Sequence, residues 1–132
     1  RNPDKARAIL DELAPKGEHY AIGLEYFAQP TDFAFDDRDQ LLDLVINASP
    51  LGMTGQPPLA FDFSHAPPGS YVYDIVTDPL ETDFLARGRA AGFPTIDGLS
   101  MLIGQADEAF TRFFGVRPPR DCDDELRALI LA

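Results

Sequence analysis

From residue 44 to residue 114 the chain alternates between two patterns, and that alternation narrows its fold more than any other feature. Leu44-Val45-Ile46-Asn47-Ala48 is a nearly unbroken apolar run, the kind that a parallel sheet buries on both faces. Tyr71-Val72-Tyr73-Asp74-Ile75-Val76 is a second such run, and Phe93-Pro94-Thr95-Ile96 a third. Between the second and third, Pro79 to Ala91 reads as a helix closed by Gly92. A further helix is expected straight after the third run, with Ser100 as its N-cap and Gly115 as its C′ stop. Strand, helix, strand, helix in this order predicts an α/β protein with a mainly parallel sheet.

The flanks read less regularly. Asn2 is placed to cap a helix whose first position is Pro3, and Ala6, Ile9, Leu10 and Leu13 give that helix an apolar face up to the stop at Pro15-Lys16-Gly17. A chain opening on a capped helix looks cut rather than begun. Residues 20–24 are a weak strand candidate, and residues 27–40 read as loop with a helical turn at 37–42. The connection over 49–70, rich in Pro and Gly, is long enough to be functional or disordered. Residues 116–121 form a Pro/Arg linker before a short helix with acids in its first turn.

The totals exclude several classes of partner. With 22 acidic against 11 basic residues the net charge is −11, which disfavours both nucleic acid and an anionic membrane surface. At 132 residues and 45% hydrophobic, the chain fits at most one ordinary domain. No apolar run approaches the ~20 residues of a membrane span. Cys122 stands alone, so no disulfide framework is expected; a reducing, cytoplasmic location is.

One stretch draws the chemistry together. In Asp97-Gly98-Leu99-Ser100-Met101-Leu102-Ile103-Gly104-Gln105 a glycine lets the chain turn and a ligand approach closely. Met101, Leu102 and Gln105 then share one helical face at the carboxyl end of a strand, the ligand-binding edge of open parallel sheets. Against this, Met101 and Leu102 alone fit a core, and Arg1 and Lys5 alone fit solvated helix-start charges. Gln105 is expected to be a buried amide in need of partners. His19 and His65 have no metal-ligand spacing and read as surface residues; Cys122 reads as inert, and Phe110, Phe113 and Phe114 as helix core.

Four pieces line up in order and spacing: Arg1-Asn2-Pro3-x-Lys5-Ala6; Asp43 to Gly55 with Asn47-Ala48-Ser49-Pro50-x-Gly52-Met53; Tyr73-Asp74-Ile75-Val76-x-x-Pro79-Leu80-Glu81-Thr82; and Asp97-Gly98-Leu99-x-Met101-Leu102-x-x-Gln105-Ala106. Together they resemble the carboxyl-terminal, NADP-binding half of shikimate dehydrogenase, a family that reduces 3-dehydroshikimate to shikimate with NADPH. The resemblance implies a clamp for the adenosine 2′-phosphate at Arg1 and Lys5, with Asn2 where the family usually has Thr. It implies cofactor contacts at Asn47, Ala48, Ser49, Ile75, Gly98, Met101 and Leu102. Gln105 matches a glutamine that bonds a substrate hydroxyl, and Thr77 stands where many members carry a substrate-touching Tyr.

The resemblance further implies a Rossmann-like parallel sheet flanked by helices, but incomplete. The Gly-rich phosphate loop and the amino-terminal substrate lobe, with the family's catalytic Lys–Asp pair, have no counterpart here, so this chain alone is expected to be inactive. Residues 1–115 are assigned to a partial NADP-binding domain. Residues 116–132 are expected to pack back on the missing lobe, as part of a monomer or homodimer. In the dinucleotide-fold order 3-2-1-4-5-6, two strands belong between 20–24 and 44–48, so those segments should not pair continuously. Two other classes stand beside this reading. One is a Mg²⁺ phosphoryl-transfer site on Asp74, Asp78 and Asp97; the other is a non-catalytic nucleotide-binding module. A quinate-using relative is the nearest variant of the enzyme reading.

Overall fold

The computed structural model describes residues 2–17, 19–31 and 44–130. Arg1 and the helical turn expected at 37–42 lie outside the described residues. Three parallel strands, β1 (Leu44–Asn47), β2 (Tyr71–Asp74) and β3 (Thr95–Ile96), form one sheet in the order β1-β2-β3. The register sets Asn47 beside Asp74 and Tyr73 beside Ile96, so the strands end at a common edge. The helices are α1 (Pro3–Leu13), α2 (Leu24–Phe27), α3 (Asp83–Ala90), α4 (Gly98–Phe114) and α5 (Asp123–Ile130).

The core lies where α3 and the long 49–70 connection meet the sheet. Leu59, Phe61, Val72, Phe84 and Leu85 are its buried cluster, ringed by Phe27, Val45, Leu51, Phe63 and Phe93. Fully burying each such side chain stabilises by roughly 1.5–3 kcal/mol. The connection is therefore neither strand nor disorder. Its turns are closed by backbone bonds such as Gly52 N to Pro57 O at 2.8 Å and Thr54 N to Asp78 O at 2.8 Å. A 3-10 turn follows at Phe63–His65, capped by Asp62. Arg87 of α3 donates to the carbonyls of Leu59 and Phe61 and sits over the Phe63 ring, which fastens the connection to the helix. His65 is not a free surface residue: it is half-buried among Tyr26, Phe27 and Phe61, with Nε2 2.8 Å from the Gln29 carbonyl.

Several boundaries differ from the sequence expectation, each for a local reason. Helix α3 starts at Asp83 rather than Pro79, because the Thr82 hydroxyl accepts from Leu85 N and supplies the cap. Helix α4 is capped by Asp97, not Ser100; the Asp97 carboxylate accepts from Ser100 N at 2.9 Å, so Ser100 is already inside the first turn. Gly115 does end α4, in the left-handed conformation at φ 73°. The strand candidate at 20–24 does not form: residues 20–23 are irregular and α2 follows them, so this segment does not pair with β1, as the sequence reading expects.

Strand β1 is the chief correction. Among the described residues it pairs with β2 alone, and Leu44 and Ile46 are 51% and 48% exposed, so the run is not buried on both faces. Asn47 O accepts from Ile75 N, and in a parallel strand alternate residues point their backbone groups the same way. The amide and carbonyl of Ile46 thus face away from β2, along an edge fitted for another strand. The expected core at Phe110, Phe113 and Phe114 also fails: all three are exposed. Helix α1 forms as its cap and proline predict, yet none of its residues is buried.

Candidate functional site

Chain segments leave the carboxyl ends of all three strands side by side: 48–49 from β1, 75–77 from β2, and 97–105 from β3 into α4. What fixes this edge is a buried polar cluster. Asn47 Nδ2 donates to Asp74 Oδ1 at 3.0 Å and to Leu51 O at 2.8 Å, while Asn47 Oδ1 accepts from Ser49 N and Ser49 Oγ at 3.1 and 2.7 Å. Asp74 Oδ1 also accepts from Val76 N at 3.0 Å, and Asp74 Oδ2 from Thr82 Oγ1 at 2.7 Å. Asn47, Asp74 and Thr82 are all buried. The cluster thus binds the ends of β1 and β2 to the start of α3 and dictates the course of both turns. A buried network with every member paired is rigid, because any displacement strands a polar group away from water.

Asn47 spends its whole hydrogen-bonding capacity in this cluster, so its side chain shapes the edge rather than reaching out from it. Ala48 and Thr77 are exposed, and Ser49 and Ile75 half-buried. Gly98 is buried, and its glycine has a different cause from the one expected. A Cβ there would lie 2.4 Å from the Val76 carbonyl and 2.6 Å from that of Ile75, so the missing side chain is what admits the β2 turn. Met101 is half-buried, and Leu102 and Gln105 are exposed on the next turns of α4. Gln105 is therefore an amide held out to solvent, not a buried one.

Of the expected clamp, Asn2 and Lys5 lie at the start of α1, and Arg1 is outside the described residues. Asn2 Oδ1 accepts from Lys5 N at 3.1 Å and is used as the cap. Lys5 is exposed, and its ammonium has no hydrogen-bond or ion-pair partner among the described residues, which leaves it available to an anion.

A cavity of about 580 Å³ opens elsewhere, along β1, lined by Leu24, Phe27, Val45, Leu59, Phe61 and His65 among others. It touches the strand-end edge only at Asn47, Ala48 and Ser49 and excludes Ile75, Gly98, Met101 and Gln105. Its lining is mostly apolar, unlike that of a site built for polar recognition. The Mg²⁺ arrangement does not assemble: both Asp74 oxygens are taken by protein donors, Asp78 is exposed, and Asp97 is engaged by Arg127.

Three residues of this edge escaped the sequence reading as organisers: Asp74, Thr82 and Arg127. Arg127 of α5 pairs with Asp97 at 2.5 Å, and that hydrogen bond holds the Asp97 carboxyl below the usual carboxylate range and Arg127 above its own. Burial pushes the Tyr73 phenol up, with the Asp97 charge adding to it.

Fold and edge define an α/β domain of the dinucleotide-binding type, a parallel sheet presenting three loops at the carboxyl ends of its strands. No family model matches the chain. Over all 132 of its residues the chain is 45% identical to a shikimate dehydrogenase (NADP(+)) of Sphingopyxis alaskensis, of which it spans 43%. It is 50% identical over 88 residues to the corresponding protein of Rhodospirillum rubrum, a match covering 67% of this chain and 30% of that one. Among solved structures, the quinate dehydrogenase of Corynebacterium glutamicum in complex with NAD superposes with a TM-score of 0.64 at 30% identity, over 89% of this chain and 40% of that one. A shikimate 5-dehydrogenase-like protein does so with a TM-score of 0.58 at 27% identity, over 71% and 36%. The chain is thus homologous to part of the shikimate dehydrogenases, as its four motifs indicated, and it spans less than half of either curated relative.

Proposed function

We propose that this chain is the cofactor-binding portion of an NADP-dependent oxidoreductase of the shikimate dehydrogenase kind, acting on 3-dehydroshikimate and shikimate. The observation that carries the reading is the convergence of Ala48–Ser49, Ile75–Thr77 and the first turns of α4 on one sheet edge, in a chain 45% identical throughout to such an enzyme. When bound, NADPH supplies a hydride to the substrate carbonyl. The chain's own residues do the holding. Lys5, whose ammonium has no partner among the described residues, offers its charge to the adenosine 2′-phosphate with Arg1 four positions before it in the sequence; a carboxylate there would select a free 2′-hydroxyl instead. Ile75, Met101 and Leu102 give the nicotinamide an apolar wall that excludes water, and the Gly98 backbone borders it. Gln105 and Thr77 offer exposed amide and hydroxyl groups to the substrate.

The proton that accompanies the hydride needs an acid–base group, which we assign to the part of the protein outside this chain. The chain alone is therefore inactive. Residues 116–132 belong, in this reading, with the apolar surface by which the two parts meet. The quinate dehydrogenase likeness keeps a quinate-using variant as the second reading.

Titration of the full-length protein with NADPH and NADH tests the clamp. Lys5→Ala is expected to weaken NADPH about tenfold while leaving NADH nearly unchanged, the loss of one charge-assisted contact. Equal losses for both nucleotides would remove the clamp. Turnover of quinate but not shikimate would move the assignment to the second reading.

A further inference from the structure

Helix α5 reaches the strand-end edge through one side chain. Arg127 Nη1 lies 3.2 Å from Asp97 Oδ1 and 3.3 Å from Ser100 Oγ, and its Nη2 2.5 Å from Asp97 Oδ2. Asp97 is at the same time the cap of α4, accepting from both Ser100 N and Ser100 Oγ at 2.9 Å. A single carboxylate therefore closes the first turn of α4 and receives a guanidinium from another helix. The pair is well sheltered, with side chains 29% and 21% exposed. Gly98, the next residue, is wedged against the Ile75 and Val76 carbonyls, so the start of α4 is gripped from two sides. Met101, Leu102 and Gln105 follow on the next two turns.

We propose that Arg127 is a positioning residue: through Asp97 it sets where the first turns of α4 present Met101, Leu102 and Gln105, and it ties that placement to α5. The inference rests on the reading of this edge as the nicotinamide and substrate site. Its physical basis is the fork. A bidentate guanidinium–carboxylate pair fixes direction as well as distance, which a single ammonium cannot do. Helix α5 has a second anchor, Arg120, which pairs with Asp107 at 2.8 Å and with Asp123 at 2.6 Å. Asp107 sits ten positions beyond Asp97, farther from the strand ends, so Arg120 holds the helices together without holding the first turn of α4. Two anchors at different distances from the site give a built-in control.

Steady-state kinetics on the full-length protein separate positioning from simple stapling. Arg127→Met is expected to raise the KM for 3-dehydroshikimate about tenfold, the scale of a small misplacement of a contacting group. The KM for NADPH should stay within twofold, because its adenosine end is held at α1. Arg127→Lys should recover part of the loss. Arg120→Met should lower the melting temperature while leaving both KM values alone. Should Arg127→Met fail to fold, Asp97→Asn carries the test, since Asn caps a helix as well as Asp but cannot hold the guanidinium by charge. The same KM split supports the proposal. Unshifted substrate KM in these variants, or equal shifts in the Arg127 and Arg120 variants, overturns it while an active wild type preserves the enzyme reading. An inactive wild type overturns that reading and the proposal with it.

Discussion

Phenylalanines meet opposite fates in two regions of this molecule. Around α3, Phe84 is 1% exposed and stacks on Phe63 with ring centroids 5.7 Å apart, while Phe61 meets both edge-on. Along the end of α4, Phe113 is 85% exposed and Phe114 also lies open. Both regions carry clean apolar periodicity. The first has a sheet and a fastened connection to cover it; the second leaves its rings open, as the neighbouring α5 leaves its own Leu129 and Ile130. Apolar spacing tells which face a helix offers and says nothing of what arrives to cover it. Under the proposed function, in which this chain is one portion of a longer enzyme, the covering surface comes from the rest of that protein.

The sharpest test of that contrast compares two truncations of the same side chain. Phe84→Ala removes a fully buried ring and is expected to cost about 3–5 kcal/mol in urea unfolding. Phe113→Ala, in the isolated chain, should stay within about 0.5 kcal/mol of the parent. In the full-length protein the second variant should become costly as well, if α4 gains cover there. Equal, small effects at Phe113 in both contexts would remove the link between exposure and a missing partner surface.

A smaller effect is expected where the core meets the strand-end edge. Thr82→Val keeps the shape but deprives Asp74 Oδ2 of its donor and Leu85 N of its cap. The cost should be about 1–3 kcal/mol, the penalty of a buried acceptor left unpaired. Thr82→Ser, which keeps the hydroxyl, should recover most of it. If valine and serine behave alike, the Asn47–Asp74–Thr82 cluster does not stiffen the edge and the packing of α3 alone does.

Much of this arrangement was legible in the residues. The parallel order of the three strands, the Asn2 cap with Pro3, and the Gly115 stop all follow from local chemistry that needs no partner. The candidate residues at 48–49, 75–77 and 98–105 fall at strand ends, which alternation alone places on one edge. The misses share a different cause. Ser100 was preferred to Asp97 as a cap, although both types serve and only the geometry of the turn decides between them. The role of Gly98 depends on a carbonyl more than twenty residues upstream, and that of Asp74 on partners at positions 47 and 82. The exposure of Leu44 and Ile46 in β1 and of the α4 phenylalanines depends on what packs against them, which apolar spacing does not reveal. Short-range signals were readable; long-range satisfaction and cover were not.

The smallest effect concerns acidity at the seam between the two regions. Asp97 is held below its ordinary pKa chiefly by the Arg127 hydrogen bond, with burial opposing and the Ser100 bonds assisting, while Arg127 is pushed above its own. A carboxylate with a depressed folded pKa adds stability that is fully present above the unfolded value of about 3.9 and is lost as pH falls through the folded one. Arg127 stays charged throughout that range. The seam between α4 and α5 should therefore hold unchanged from pH 8 down to about pH 5 and loosen only in stronger acid. Limited proteolysis in the 116–122 segment, followed against pH, reads this directly, and Asp97→Asn should flatten the acid limb. Loosening between pH 6 and 8, well above the range in which the Asp97 carboxylate takes up its proton, would remove the Asp97–Arg127 pair from control of the seam.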